Sequence, residues 1–183
     1  MYKHEGLIVI TRRVKMTNNT VTLKKITEHL TKADELARQL GLGDIYSYSR
    51  VKEVLIANKL GHTVNTKYSG ADGFEPDGRP AEYKSTVSNK IQATYNGISV
   101  QKTWNEQVEY LTKDKIGKYD NHYFARFVGT NIAEIWKLKA QDVLNILIDK
   151  LKGKFDTIRH KKDPRLGYTI NSNLIKKYGK QIV

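Results

Sequence analysis

The dipeptide Asp77-Gly78 constrains this chain more than any other short segment, because it dictates a reversal between two stretches of strand-like sequence. Asp-Gly is a favoured tight-turn pair: the glycine takes a left-handed conformation at no steric cost, and the aspartate side chain bonds backbone just beyond itself. From Thr63 to Val87 the side-chain pattern is that of strands around this turn, so a β-hairpin is expected there. Asp72 and Glu82 are equally far from Asp77, and the hairpin therefore sets them opposite each other or within one residue of it. Side chains alternate along a strand, which puts Glu82 and Lys84 on one face and Tyr83 on the other. Folding the turn builds a cluster of two acids and one amine.

Such a cluster suits hydrolysis of a phosphodiester. Two carboxylates can hold a Mg²⁺ ion, with Mn²⁺ as a substitute, that keeps several waters and binds phosphate oxygens. The ion draws charge from the phosphate and lowers the pKa of a bound water. On this reading Asp72 and Glu82 are the metal ligands and, with Lys84, the catalytic residues. The lysine orients the water or stabilises the charge developing on phosphate. The same residues are also compatible with an ordinary exposed hairpin carrying a Glu-Lys pair on its wet face.

Charge separates the two readings. The chain of 183 residues carries 32 Lys and Arg against 19 Asp and Glu, a formal net charge of +13. That balance suits a polyanion, with counterion release supplying much of the affinity. Double-stranded DNA is the expected partner. A membrane is not, because no apolar stretch is long enough to span a bilayer and no strongly amphipathic basic helix stands out. The absence of cysteine excludes disulfides, thiolate metal sites and cysteine catalysis. The opening Met1–Gly6 is not followed by a signal-type apolar core, so a cytoplasmic location is expected.

Along the chain, Gly6–Thr11 reads as a short strand and Arg12–Lys15 as a basic arm or a loosely ordered terminus. Leu23, Ile26, Leu30, Ala33, Leu36, Ala37 and Leu40 recur at helical spacing, and Gly41 supplies a stop. That apolar stripe is either core or a dimer seam. A second helix is expected from about Arg50 to Lys59, capped by Ser47 or Ser49, with Val51, Val54 and Leu55 inward and Gly61 at its end. Lys90 to Tyr110 is polar with interspersed aromatics. Tyr123–Val128 and Ile132–Leu138, around Gly129–Asn131, read as a hairpin, and Gln141–Lys152 as a helix. The tail from Asp149 to Val183 carries ten Lys and Arg against three Asp. Helices followed by strands and another helix predict an α/β or α+β fold, a mixed central β-sheet flanked by helices. One domain is expected over 1–183, with an N-terminal extension at 1–20, a helical, dimer-forming region at 21–60 and a catalytic, DNA-binding core at 61–183.

Taken in order, Gly43-Asp-Ile-Tyr46, the helix Lys52 to Leu60, Asp72 through Glu82-Tyr-Lys-Ser85, Tyr123-Phe-Ala-Arg-Phe127, Ile132 to Asp142, His160-Lys-Lys-Asp163 and Tyr178 to Ile182 resemble the type II restriction endonucleases of the PD-(D/E)xK superfamily. The resemblance covers about two thirds of the chain. It implies a restriction-endonuclease-like core and a Mg²⁺-dependent homodimer that cuts duplex DNA at a short palindrome and leaves 5′-phosphate and 3′-hydroxyl ends. It also implies that a cognate DNA methyltransferase can act on the same site. A two-fold dimer presents the same reading surface to each half-site, which is why the target is palindromic.

The chain departs from that pattern in three places. A histidine-rich, base-reading segment that follows the active site in the member it resembles corresponds here to Ala93–Asn105, which has no histidine, so the target sequence does not carry over. The region before Tyr123 is also longer, and an acidic residue that this member carries just after the first matching stretch corresponds to Tyr48 here. Asn96, Ser99, Gln101 and Lys102 are able to read base edges, since amides suit adenine and lysine suits guanine. Arg159, Lys161 and Lys162 can contact phosphates. His62 and His122 are expected at the surface or partly buried, Trp136 in packing, Trp104 at DNA or anchoring a loop, and Glu75 and Asp77 beside the metal, although turn chemistry already explains Asp77. A homing, phage-encoded or repair nuclease with the same core, and a non-catalytic basic DNA-binding protein, are the alternatives.

Overall fold

The computed structural model describes residues 18–183. The strand expected at Gly6–Thr11 and the basic arm Arg12–Lys15 lie outside the described residues. The chain divides into two compact units at Gly43/Asp44. The first contains helix α1, Asn18–Gln39. Gly41, at φ 73°, turns the chain after it, and the Leu42 N–H returns to the Ala37 carbonyl at 2.9 Å. Leu23, Ile26, Leu36 and Leu40 of its apolar stripe are exposed.

The second unit is mixed α+β. It contains α2 (Arg50–Leu60), β1 (Thr63–Val64), β2 (Gly73–Phe74), β3 (Pro80–Thr86), β4 (Ala93–Ser99), α3 (Trp104–Tyr110), a π-helical turn at Leu111–Lys115, β5 (Asn121–Val128), β6 (Asn131–Lys139), α4 (Ala140–Ile158), β7 (Arg165–Ile170), α5 (Ser172–Tyr178) and β8 (Lys180–Gln181). Six strands form one sheet in the order β1-β2-β3-β5-β6-β8. Only β3 and β5 are parallel, so the sheet is mixed as expected. Strands β4 and β7 form a separate antiparallel ribbon.

Two clusters of buried side chains explain these elements. Strand β5 has a nearly continuous buried sequence because apolar matter covers both of its faces. On one face, Tyr123, Ala125 and Phe127 meet Ala81, Tyr83 and, from α2, Ile56 and Ala57. On the other, Phe124 meets Tyr95 and Ile98 of β4 and Val143, Leu147 and Leu151 of α4. Helix α4 runs beyond the expected Lys152 because Phe155 continues its buried stripe. Helix α2 buries Ile56 and Ala57 in the second unit, while Val51, Val54 and Leu55 are only half-buried. The stretch 21–60, expected as one helical region, is therefore divided between the two units.

Several local expectations also need correction. Lys90–Tyr110, read as polar with aromatics, contains β4 and α3, because Tyr95, Ile98 and Gln107 are buried. The capping box of Thr103 and Glu106 starts α3. Ser49 occupies the N-cap of α2, but its side chain accepts no capping bond from the helix N–H groups. His122 is fully buried rather than at the surface or partly buried, in register with Glu82. Trp136 is half-buried in packing and donates its indole N–H to Glu134 at 2.7 Å. Trp104 packs edge-on to Phe155 at 5.4 Å.

Candidate active site

The hairpin around Asp77-Gly78 is present. Gly78 has φ 83°, and the Glu75 N–H reaches the Arg79 carbonyl at 2.8 Å. Gly73 pairs with Ala81 and Phe74 with Pro80, the register the turn dictates. Gly73 has no room for a side chain: an added Cβ would run into the Tyr83 hydroxyl and stand 2.8 Å from the Thr63 carbonyl. This close approach brings Asp72, just before β2, against β3. The Asp72 N–H donates to the Ala81 carbonyl at 3.0 Å, and its Oδ2 accepts the Tyr83 N–H at 2.7 Å.

Strand alternation does the rest. Ala81 and Tyr83 are buried against α2 and β5, so Glu82 and Lys84 face the other way. Lys84 Nζ donates to Glu82 Oε1. Asp72, Glu82 and Lys84 line one cleft of about 290 Å³, together with Tyr95 and Asn96 of β4 and Lys118 beyond the π-helical turn. Burial, and after it the negative charge of Glu82, push the Asp72 carboxyl up to about 7, with the Tyr83 N–H and Lys84 pulling the other way. A buried carboxyl that resists ionising beside a second acid fits a divalent cation, whose charge offsets both the repulsion and the lost hydration. Among the described residues no group of three His, Cys, Asp or Glu side chains forms a metal cluster, so waters and phosphate oxygens would complete such a site.

Lys84 is held from a second side. Its ammonium stands 5.3 Å from the centre of the Tyr95 ring. The Tyr95 hydroxyl bonds His122 Nδ1 at 2.9 Å, and His122 Nε2 donates to the Ile116 carbonyl at 3.1 Å. Burial lowers the His122 pKa to about 4, which leaves a neutral ring with a proton on Nε2 and a lone pair facing Tyr95.

A third acid was not foreseen. Glu53 of α2 lines a groove of about 250 Å³ with Asp72, Lys84 and Thr94. Burial raises its carboxyl above the usual range, while Arg50, 3.1 Å away, opposes the shift. Its place beside two apolar positions of a helix gave no signal in the sequence, because the groove forms only when α2 meets the hairpin. Arg50 was missed as well: it is buried and donates to the Asn65 and Lys67 carbonyls at 2.8 and 3.0 Å, tying down the segment that leads into Asp72.

The expected DNA-contacting residues divide. Asn96 is exposed in the cleft, next to a bulge of β4 at Gly97, φ 62°. Ser99 accepts from Arg165 at 2.9 Å. The Gln101 N–H donates to Gln107 Oε1 at 2.9 Å, and Lys102 is exposed just before α3. Arg159, Lys161 and Lys162 are exposed at the end of α4 and in the connection to β7, and none lines the cleft. Glu75 is buried away from the cleft, held by Arg79, Lys137 and Asn121, and Asp77 bonds Arg79 in the turn. His62 is half-buried, 2.9 Å from the Tyr83 hydroxyl.

No protein-family model matches the chain, and no curated protein matches it. Among the described residues no helix is long and apolar enough to cross a membrane.

Proposed function

We propose that the chain is a Mg²⁺-dependent, site-specific endonuclease of the PD-(D/E)xK type, acting on double-stranded DNA as a type II restriction enzyme does. The observation that carries this reading is the meeting of Asp72, Glu82 and Lys84 in one cleft, with the Asp72 carboxyl pushed up to about 7 by burial and by Glu82. The ordered motifs from Gly43 to Ile182 support it by their resemblance to PvuII within that superfamily, and the net charge of +13 supports a polyanionic substrate.

In this reading Asp72 and Glu82 would hold the cation, Mg²⁺ or Mn²⁺, which would supply charge neutralisation at the phosphate and a more acidic water. Lys84 lies beside Glu82, where its ammonium places the attacking water and opposes charge growing on the phosphoryl oxygens. A water passes a proton to solvent as its oxygen bonds to phosphorus, the bond from phosphorus to the 3′-oxygen breaks, and that oxygen takes a proton from solvent and leaves as a 3′-hydroxyl. The products are a 5′-phosphate and a 3′-hydroxyl. Lys115 and Lys118, which also line the cleft, offer positive charge to the flanking backbone. The exposed stripe of α1 is the surface assigned to a second copy, and a cognate methyltransferase would protect the host's own copies of the target.

The test is incubation of the purified chain with long, fully sequenced duplex DNA in Mg²⁺, Ca²⁺ or EDTA, followed by sequencing of the ends. Discrete fragments sharing a short palindrome are expected with Mg²⁺, and binding without cleavage with Ca²⁺. Cutting in EDTA would overturn the metal mechanism. A smear would favour a homing, phage or repair nuclease with less specificity. Intact DNA in every lane, with a retained gel shift, would identify a non-catalytic DNA-binding protein.

A further inference from the structure

Beside the catalytic cleft lies a larger cavity of about 570 Å³ that the proposed chemistry leaves unused. Its walls include Tyr48, Arg50, Glu53, Lys67 and Tyr68, and the two spaces meet at Gly70 and Asp72, which line both. Tyr48 is the feature that calls for explanation. It is 93% exposed, and among the described residues it alone, apart from glycines, has positive φ, at 56°. A bulky residue in that conformation carries a steric cost that glycine or asparagine would avoid. The cost holds a large aromatic ring almost wholly in water.

The ring does have a built surround. Tyr68 stands 6.0 Å away, its plane tilted by 58° to that of Tyr48. Tyr68 is itself fixed: its hydroxyl donates to the Asp44 carbonyl at 3.2 Å, and the Arg50 guanidinium lies 4.7 Å from its ring centre. Arg50 is locked by the carbonyls of Asn65 and Lys67. Behind an exposed ring there is therefore a rigid aromatic and cationic wall, with Lys67 at the surface.

The geometry points to a binding site for an unpaired nucleobase, stacked on Tyr48 and braced by Tyr68, in the strand whose phosphate enters the neighbouring cleft. This assignment rests on the nucleic-acid reading of that cleft. A base inside a duplex shows its π-face only to its neighbours, so an aromatic ring reaches that face by wedging between steps or by taking a base out of the stack. A cavity of this size, lined by rings with a cation at its mouth, has room for the extruded base.

The test uses the intact chain in EDTA and three short duplexes of one mixed sequence: fully paired, carrying one unpaired 2-aminopurine, or carrying one unpaired abasic residue. The 2-aminopurine duplex is expected to bind about ten- to a hundred-fold tighter than the abasic one, with its fluorescence quenched. Tyr48→Gly relieves the backbone and removes the ring, so it should keep its Tm and its affinity for paired duplex while losing the preference. Tyr48→Phe should retain the preference, and Tyr68→Leu should weaken it. Equal binding of all three duplexes by the unaltered chain, or a preference that survives Tyr48→Gly, would overturn the assignment. A parallel Mg²⁺ cleavage assay separates the two ideas. Cutting without base preference sinks the stacking site alone, and base preference without cutting sinks the nuclease alone.

Discussion

The two faces of strand β3 differ in what they spend their side chains on. Ala81 and Tyr83 are buried against α2 and β5, and they hold the hairpin to the sheet. Glu82 and Lys84, one residue out of phase, are half-buried in a cleft with Asp72. The first face lowers the energy of the fold. The second raises it, because the Asp72 carboxyl is half-buried beside another acid and resists ionising. A single two-residue period thus separates groups kept for stability from groups kept at its expense.

Substitutions on the two faces should accordingly fail in opposite ways. The largest effect is expected on the polar face: Lys84→Ala or Glu82→Gln should slow Mg²⁺-dependent cleavage by about 10³-fold or more, roughly 4 kcal/mol in the barrier, with Tm little changed. Initial rates alongside thermal melts check this. On the apolar face, Tyr83→Ala should cost about 3–5 kcal/mol of stability through the vacated space, read by urea unfolding.

Asp72→Asn sharpens the contrast through pH. A carboxyl whose folded pKa is raised to about 7 binds a proton that the unfolded chain has already lost. The unaltered chain in EDTA therefore loses stability as pH rises from about 4, the usual carboxyl value, through about 7. Asp72→Asn escapes that loss and can still accept the Tyr83 N–H. It should be more stable by on the order of 2 kcal/mol at pH 8, with the gap closing near pH 4. The smallest effect is expected from Tyr83→Phe, which loses the bond to His62 and should cost about 1 kcal/mol.

Much of the candidate site was legible in the sequence because its determinants are local. Asp77-Gly78 sets the register, and alternation sets the faces, so the neighbourhood of Asp72, Glu82 and Lys84 follows from counting residues. What arrives from other elements was not legible. Glu53 reaches the hairpin from α2, and Tyr95 reaches Lys84 through the anchor of a buried His122. Nothing within a few residues of Glu53 or His122 announces such a neighbour. The two amphipathic helices show the same limit. Periodicity identified both α1 and α4, yet Leu147 and Leu151 of α4 are buried while Leu23 and Leu40 of α1 are exposed. A pattern fixes which face is apolar, and only the tertiary fold fixes what covers it.

The most direct test of the central claim compares the unaltered chain with Lys84→Ala in one preparation, measuring cleavage of long duplex DNA in Mg²⁺ and thermal unfolding together. The account predicts discrete cutting by the unaltered chain, no detectable cutting by the variant, and closely similar melting of the two. Equal cutting by both would contradict it, because the amine placed beside Glu82 would then have no part in the chemistry.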